Sequence, residues 1–415
     1  MKRAISYLRE STRAKKTITI LVLFLFGLYI FSMPYFSDRK PFNYLVYGIF
    51  FLLFSLVITH RFLYFDFKKI NIRALLFLFF AVFSTISTVI FSHQFRYLLT
   101  IFLIGISYLV FFFMLEQVRK TNLIIEITIW SLFLFVILFI VHYRTDILDF
   151  KNLGKERLAS DNYFDNVNGV AYYFAGCSLL SFYTALFGKK KYCFIYLIPF
   201  AISFFLGILT GSRSFIIEMF FSILVTFIVR FRKKPVVIVV GIGLLTLSIV
   251  LLFTLPVFNT IKQRFIGMFN MITGNSYSTD YSTATRILWQ DYAFYLGSQH
   301  LLFGNGINSF LVYSGTGTYS HSNIAELLCN CGIIGLLVYY LPLFISFYDV
   351  LEKKFEFKFF VIVLIVFLLS REFVDVTYNS KFNAFVFSIL IFAGSEGLYK
   401  KRIRFNNNQY CFLEI

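Results

Sequence analysis

Long apolar runs, cut by short polar interruptions, repeat along the chain from Ile18 to Tyr399. A crossing of the hydrocarbon core takes roughly 20 mostly apolar residues. That ruler predicts twelve spans, centred on 18–36, 43–59, 74–92, 97–115, 123–142, 167–187, 193–210, 214–229, 236–256, 322–348, 357–370 and 383–399. The expected architecture is an all-α polytopic membrane protein in which residues 1–415 form a single integral membrane domain. One segment breaks the pattern. Between the ninth and tenth spans, 257–320 is polar and glycine-rich, and it reads as a long loop carrying short amphipathic helices. Within it, Ala284 to Leu296 has helical period. Leu288, Tyr292 and Tyr295 share one face, and Arg286 and Gln290 lie on another with Ala293 and Gly297.

Composition narrows the class. Of 415 residues, 59% are hydrophobic and 21% aromatic, more than a soluble core absorbs. The first run continues into Met33-Pro34-Tyr35 without a small-residue cleavage site, so it is expected to be retained as a span. The five cysteines, Cys177, Cys193, Cys329, Cys331 and Cys411, fall in or beside spans or in the tail, with neither a disulfide framework nor zinc spacing. No metal or cofactor is expected.

The net charge of +18 does not point to nucleic acid, because the basic residues are divided among loop ends. Most of the 39 lysines and arginines lie in alternate segments: Lys2 to Lys16, Arg61 to Arg73, Arg119 and Lys120, Lys189 to Lys191, Arg230 to Lys234, Lys353 to Lys358, and Lys400 to Arg404. By the positive-inside rule, both termini are expected in the cytoplasm and the loops 144–166 and 257–320 outside. Against that trend, Arg96, Arg157, Arg213, Arg286 and Arg371 stand at exterior span ends. Each has two readings: snorkelling to lipid phosphates, or binding of an anionic substrate. As a set facing one compartment they favour the anion.

Three motifs carry candidate chemistry. Thr210-Gly211-Ser212-Arg213 forms a turn too short to leave the interface, and it puts a guanidinium, a planar fork suited to phosphate, at the end of two helices. Glu218, five residues on and within the eighth span, is costly at that depth unless paired, and admits a structural Arg–Glu pair as the alternative. Leu302-Phe303-Gly304-Asn305-Gly306 is a glycine turn that lets backbone approach backbone or ligand, without the strand context of a nucleotide fingerprint. Tyr319-Ser320-His321-Ser322-Asn323 opens the tenth span, with Asn323 and Glu326 on a common flank. A histidine there reads either as a polar cap or as a catalytic group at the mouth.

In this order, Thr210-Gly211-Ser212-Arg213, Arg286-x-x-Trp289, Leu302-Phe303-Gly304-x-Gly306-x-x-x-Phe310 and His321-Ser322-Asn323-x-x-Glu326-Leu327-Leu328-x-x-x-Gly332-Ile333-Ile334-Gly335 resemble the O-antigen ligase and polymerase superfamily. The nearest variant is the Wzy-type polymerase of capsular or exopolysaccharide repeat units. Asp165-Asn166-Val167-Asn168-Gly169 resembles a further family motif, while His321-Ser322-Asn323 replaces the His-Asn of many members. The resemblance implies a metal-independent, inverting glycosyltransferase in the bacterial cytoplasmic membrane, acting at the outer face on a glycan linked to undecaprenyl pyrophosphate. It implies His321, Arg286 and Arg213 as catalytic residues, and Arg157, Asn168, Trp289, Gln290, Asn323 and Glu326 as substrate-binding residues. The implied partners are the lipid-linked oligosaccharide, the bilayer, and a flippase and chain-length regulator of the same route. A ligase transferring the glycan to another acceptor, a lipid-linked oligosaccharide flippase or other transporter, and a structural partner of a synthesis complex remain open alternatives.

Overall fold

The computed structural model describes residues 2–36, 40–64, 72–92, 98–118, 120–149, 157–158, 166–188, 192–273, 281–352, 357–372 and 374–394, and among them no strand occurs. Arg96, Asp165 and Cys411 lie outside the described residues. Helices α1 (Lys2–Phe36), α2 (Lys40–Tyr64), α3 (Ile72–Ser87), α4 (Leu98–Val118) and α5 (Thr121–His142) are followed by the single turn α6 (Arg144–Leu148). Next come α7 (Val167–Phe187), α8 (Leu197–Leu209), α9 (Arg213–Phe231), α10 (Pro235–Thr254), α11 (Asn259–Ile272), α12 (Tyr281–Gln299) and α13 (Ser309–Tyr313). The chain closes with α14 (Asn323–Glu352), α15 (Lys358–Glu372) and α16 (Lys381–Gly394).

The described parts of the expected spans are helical, without fixing how many of them cross the bilayer. Among the described residues, five helical stretches are long and apolar enough to cross a bilayer: Lys15–Pro34, Thr121–His142, Val167–Phe187, Arg213–Phe231 and Asn323–Glu352. Shorter apolar stretches occupy most of the other positions, among them Tyr44–His60, Leu75–Phe91 and Cys193–Leu209. The α15 helix, with 15 residues, is about 22 Å long at 1.5 Å per residue, short of the roughly 30 Å hydrocarbon core.

By packing, the chain divides into two compact units, Met1–Phe67 with Gln117–Ile287, and Lys68–Glu116 with Leu288–Ile415. In the first unit α7 lies against α5, α8 and α9. Its sequence explains the central place: Ala171, Ala175, Gly176, Cys177, Ser178 and Ser181 are small and buried, so neighbouring backbones can come close where no hydrophobic drive separates helix from lipid. Ser178 and Ser203 join α7 to α8 through their hydroxyls at 2.9 Å. Towards the outside, Val236, Val239, Val240, Leu244 and Leu247 of α10 are exposed, as expected of a lipid-facing surface.

In the second unit α14 packs on α3, α13 and α15. It is two helices joined across a break at Gly332, whose φ of 63° and ψ of −169° are open essentially to glycine alone. Ile333 and Ile334, which in an unbroken helix would donate to the carbonyls of Cys329 and Asn330, donate instead to Leu301 O and Leu302 O at 2.8 and 3.3 Å. The carbonyls released at Cys329 and Asn330 accept from Asn305 N and Gly306 N, both at 2.8 Å. The glycine turn therefore replaces the helix's own hydrogen bonds. A Cβ at Gly304 would overlap the backbone of Asn330 and Cys331, and one at Gly332 would overlap that of Leu302 and Phe303. Of the two uses open to this turn in the sequence, backbone meeting backbone is the one the structure shows.

Candidate functional site

In the first unit, the turn between α8 and α9 collects arginines. Gly211 takes φ 64°, and α9 begins at once with Arg213, buried at 7% exposure. Arg157 donates from Nε to Thr210 O at 3.0 Å and from Nη2 to Asn168 Oδ1 at 3.4 Å. Asn168, in the first turn of α7, also accepts from Ser212 Oγ at 3.2 Å, so the N termini of α7 and α9 meet here. Both helix ends present positive partial charge. Arg213 donates from Nη1 to Arg264 O at 3.1 Å, and Arg264 donates in return to Gly211 O.

Burial, and then the nearby charges of Arg286 and Arg213, push the Arg157 guanidinium below its ordinary pKa. Three of the arginines read from the sequence are thus close enough to repel one another, beside two helix N termini that add charge of the same sign. Such a place disfavours the charged form of Arg157. Arg264 was not singled out in the sequence, although its signal was present: it is one more basic residue in a segment the charge rule places outside. Arg371 is paired with Asp375 four residues on.

In the second unit, His321 precedes α14 without joining it. Its φ of 61° is left-handed, and the helix starts two residues later. The imidazole lies parallel to the Trp289 indole, with centroids 5.4 Å apart and planes 9° apart, and the Tyr319 ring is 4.4 Å away on a tilt of 56°. Gln290 Nε2 donates to His321 O at 3.3 Å. Glu326 accepts from Ser320 N at 2.8 Å, and Ser322 Oγ accepts from Ala325 N at 3.4 Å.

The expected apolar face of α12 is reversed. Leu288 and Tyr295 are 66% and 58% exposed, whereas Ala293 and Leu296 are buried, with Trp289 packed beside them. Small side chains decide this. A Cβ on Gly297 would come to 3.1 Å from the backbone at Leu328 and Cys329, so Ala293 and Gly297, one turn apart, let α12 approach α14 more closely than the bulky stripe could.

Asn323 and Glu326 face inward. The Asn323 amide donates to Tyr340 and Glu372, and its oxygen accepts from Thr377 N and Tyr378 N at 2.9 Å each. Glu326 also accepts from Asn330, which reaches Tyr378 Oη at 3.3 Å. This buried network fixes the start of α14 to the segment after α15. Its members Tyr340, Glu372, Thr377 and Tyr378 left no periodic mark in the sequence.

Among the described residues, no group of three or more His, Cys, Asp or Glu side chains is placed to hold a metal ion. Fold and site together define a multi-pass helical membrane protein that gathers arginines where two helix N termini meet and presents a histidine stacked on tryptophan. An O-antigen ligase family model matches residues 198–340, a segment that holds Arg213, Arg264, Arg286, Trp289 and His321, and the match supports membership of the O-antigen ligase and polymerase superfamily. Arg157 and Asn168 precede the matched segment. No curated protein matches the chain.

Proposed function

We propose that the protein polymerises oligosaccharide repeat units carried on undecaprenyl pyrophosphate, at the outer face of the bacterial cytoplasmic membrane. The observation that carries this reading is the meeting of Arg157, Arg213 and the charge of Arg286 at the N termini of α7 and α9. A pyrophosphate suits a cluster of like-charged guanidiniums, whose planar donors match its oxygens, and it is the leaving group of the reaction. The acceptor hydroxyl oxygen attacks the anomeric carbon from the face opposite the pyrophosphate, and the bond from that carbon to phosphate oxygen breaks. Configuration inverts, lipid pyrophosphate departs with the bonding electrons, and the hydroxyl proton passes to His321. Guanidiniums aimed at the charge developing on the leaving oxygen lower the barrier in the way a metal would elsewhere.

In this proposal Arg213 and Arg286 bind the pyrophosphate, Arg157 and Asn168 hold the turn and complete the cradle, and Gln290 fixes the His321 backbone. Asn323 and Glu326 support the loop from behind, consistent with their inward hydrogen bonds. The alternating basic segments support cytoplasmic termini. A second reading, transfer of the glycan to a separate acceptor, draws on the matched family's description as a ligase. Both readings require the arginines. Arg213→Lys and Arg286→Lys keep the charge but lose the fork, and each is expected to cut surface-polymer synthesis roughly 10- to 100-fold, the value of a charged hydrogen bond or two. Polymer on a gel, normalised to protein in the membrane, reads the result. Full-length polymer at normal yield from both variants contradicts the assignment.

A further inference from the structure

We infer that Trp289 is a positioning residue that sets the basicity of His321, through the stacked indole–imidazole pair at the head of α14. The inference rests on the proposed role of His321 as proton acceptor. Two near-parallel rings with centroids 5.4 Å apart are offset-stacked, within the roughly 6 Å over which an indole face attracts a cation. A neutral imidazole gains little from that face. The imidazolium that forms when the acceptor proton arrives gains more, so the indole favours the protonated product of the transfer. Trp289 is itself held firmly, packed against Ala293, Leu296, Phe310, Ala325 and Cys329. Its α12 neighbour Gln290 grips the His321 carbonyl at 3.3 Å, so one helix controls both the ring and the backbone of the histidine.

Other titratable groups surround the pair. Tyr319 lies against the imidazole from the loop. Glu326, from the first turn of α14, directs its carboxylate to Ser320 N and Asn330. Along α12, Asp291 follows Gln290 and is exposed, and Arg286 stands one turn before it. Trp289 lies parallel to the ring, which is the geometry that senses its charge.

The chain has two tryptophans, so replacing the lipid-facing Trp130 with Phe leaves Trp289 as the sole indole. Because an imidazolium quenches a stacked indole more than a neutral imidazole does, emission of Trp130→Phe protein should fall as pH drops through the His321 pKa. Adding His321→Phe, which keeps an aromatic ring in place, should abolish that titration. In kinetics, Trp289→Leu should move the acid limb of kcat/KM to lower pH by about 0.5–1 unit, because removing the stabilised cation lowers the pKa, with Trp289→Phe in between. An emission titration that persists in His321→Phe, or an acid limb that stays put in Trp289→Leu, overturns the inference. Wild-type protein unable to transfer glycan would sink the functional reading while leaving the emission titration, and the coupling it reports, in place.

Discussion

At the scale of single residues, His321 is held in an unusual backbone conformation by its neighbours. Its left-handed backbone, φ 61°, is uncommon outside glycine, although His tolerates it better than most residues. Three supports hold it: Gln290 on its carbonyl, Glu326 on Ser320 N, and Trp289 along the ring. An ordinary N-cap would have used the side chain on the helix, whereas here Ser322 Oγ meets the first-turn N–H of Ala325 and the imidazole faces two aromatic rings. If His321 accepts the proton, His321→Ala should slow turnover by about 10²–10⁴-fold with the protein still inserted. Combined with Arg213→Lys, the loss should fall well short of the product of the two single losses, as for groups that act as a unit. Multiplicative losses in steady-state kinetics would show that they act independently of one another. His321 and Arg213 could be singled out as candidates in the sequence because each departs from a rule, a histidine at an expected span's start and an arginine on the side where the charge rule expects few. Arg264 departs from the same charge rule yet stayed hidden, since only the backbone of the turn brings it to Gly211.

At the scale of elements, helices with strong apolar period were legible and their partnerships were not. α12 was foreseen, but its buried face was not. The sequence shows which residues are apolar, whereas Ala293 and Gly297 decide which face fits. The break in α14 likewise has no hydrophobic signature. A glycine inside an apolar run is common in spans, and only the exchanged hydrogen bonds with residues 301–306 show that Gly332 is a joint. Gly332→Ala should therefore destabilise the folded protein by at least about 1–3 kcal/mol, from the glycine-only conformation alone, with overlap against Leu302 added. Gly315, with φ 65° but nothing near the site of a Cβ, is the control, and Gly315→Ala should cost about 1 kcal/mol. Thermal unfolding in detergent separates them. Equal losses in Tm would mean that the exchange with residues 301–306 adds nothing.

At the scale of the whole molecule, the all-helical membrane class followed from composition and run length, because nothing but lipid accommodates so many exposed phenylalanines and leucines. The number of crossings did not follow with the same force. Shorter helices such as α15 satisfy the apolar pattern without reaching the length of a span. The division into two compact units was also invisible, since each is assembled from segments distant in the chain: 68–116 joins 288–415 across the interval 117–287. Spatial grouping of that kind depends on packing, which no local pattern encodes.

The proposed reaction is transfer from a lipid pyrophosphate donor at the outer face, by residues that need no metal. The most direct measurement uses sealed right-side-out and inside-out vesicles containing the protein, supplied from the bath with lipid-linked repeat units, EDTA and no nucleotide sugar. Right-side-out vesicles should extend the glycan and release one lipid pyrophosphate per bond formed, while inside-out vesicles stay inactive. Extension only by inside-out vesicles, or only when a divalent metal or nucleotide sugar is added, would contradict it.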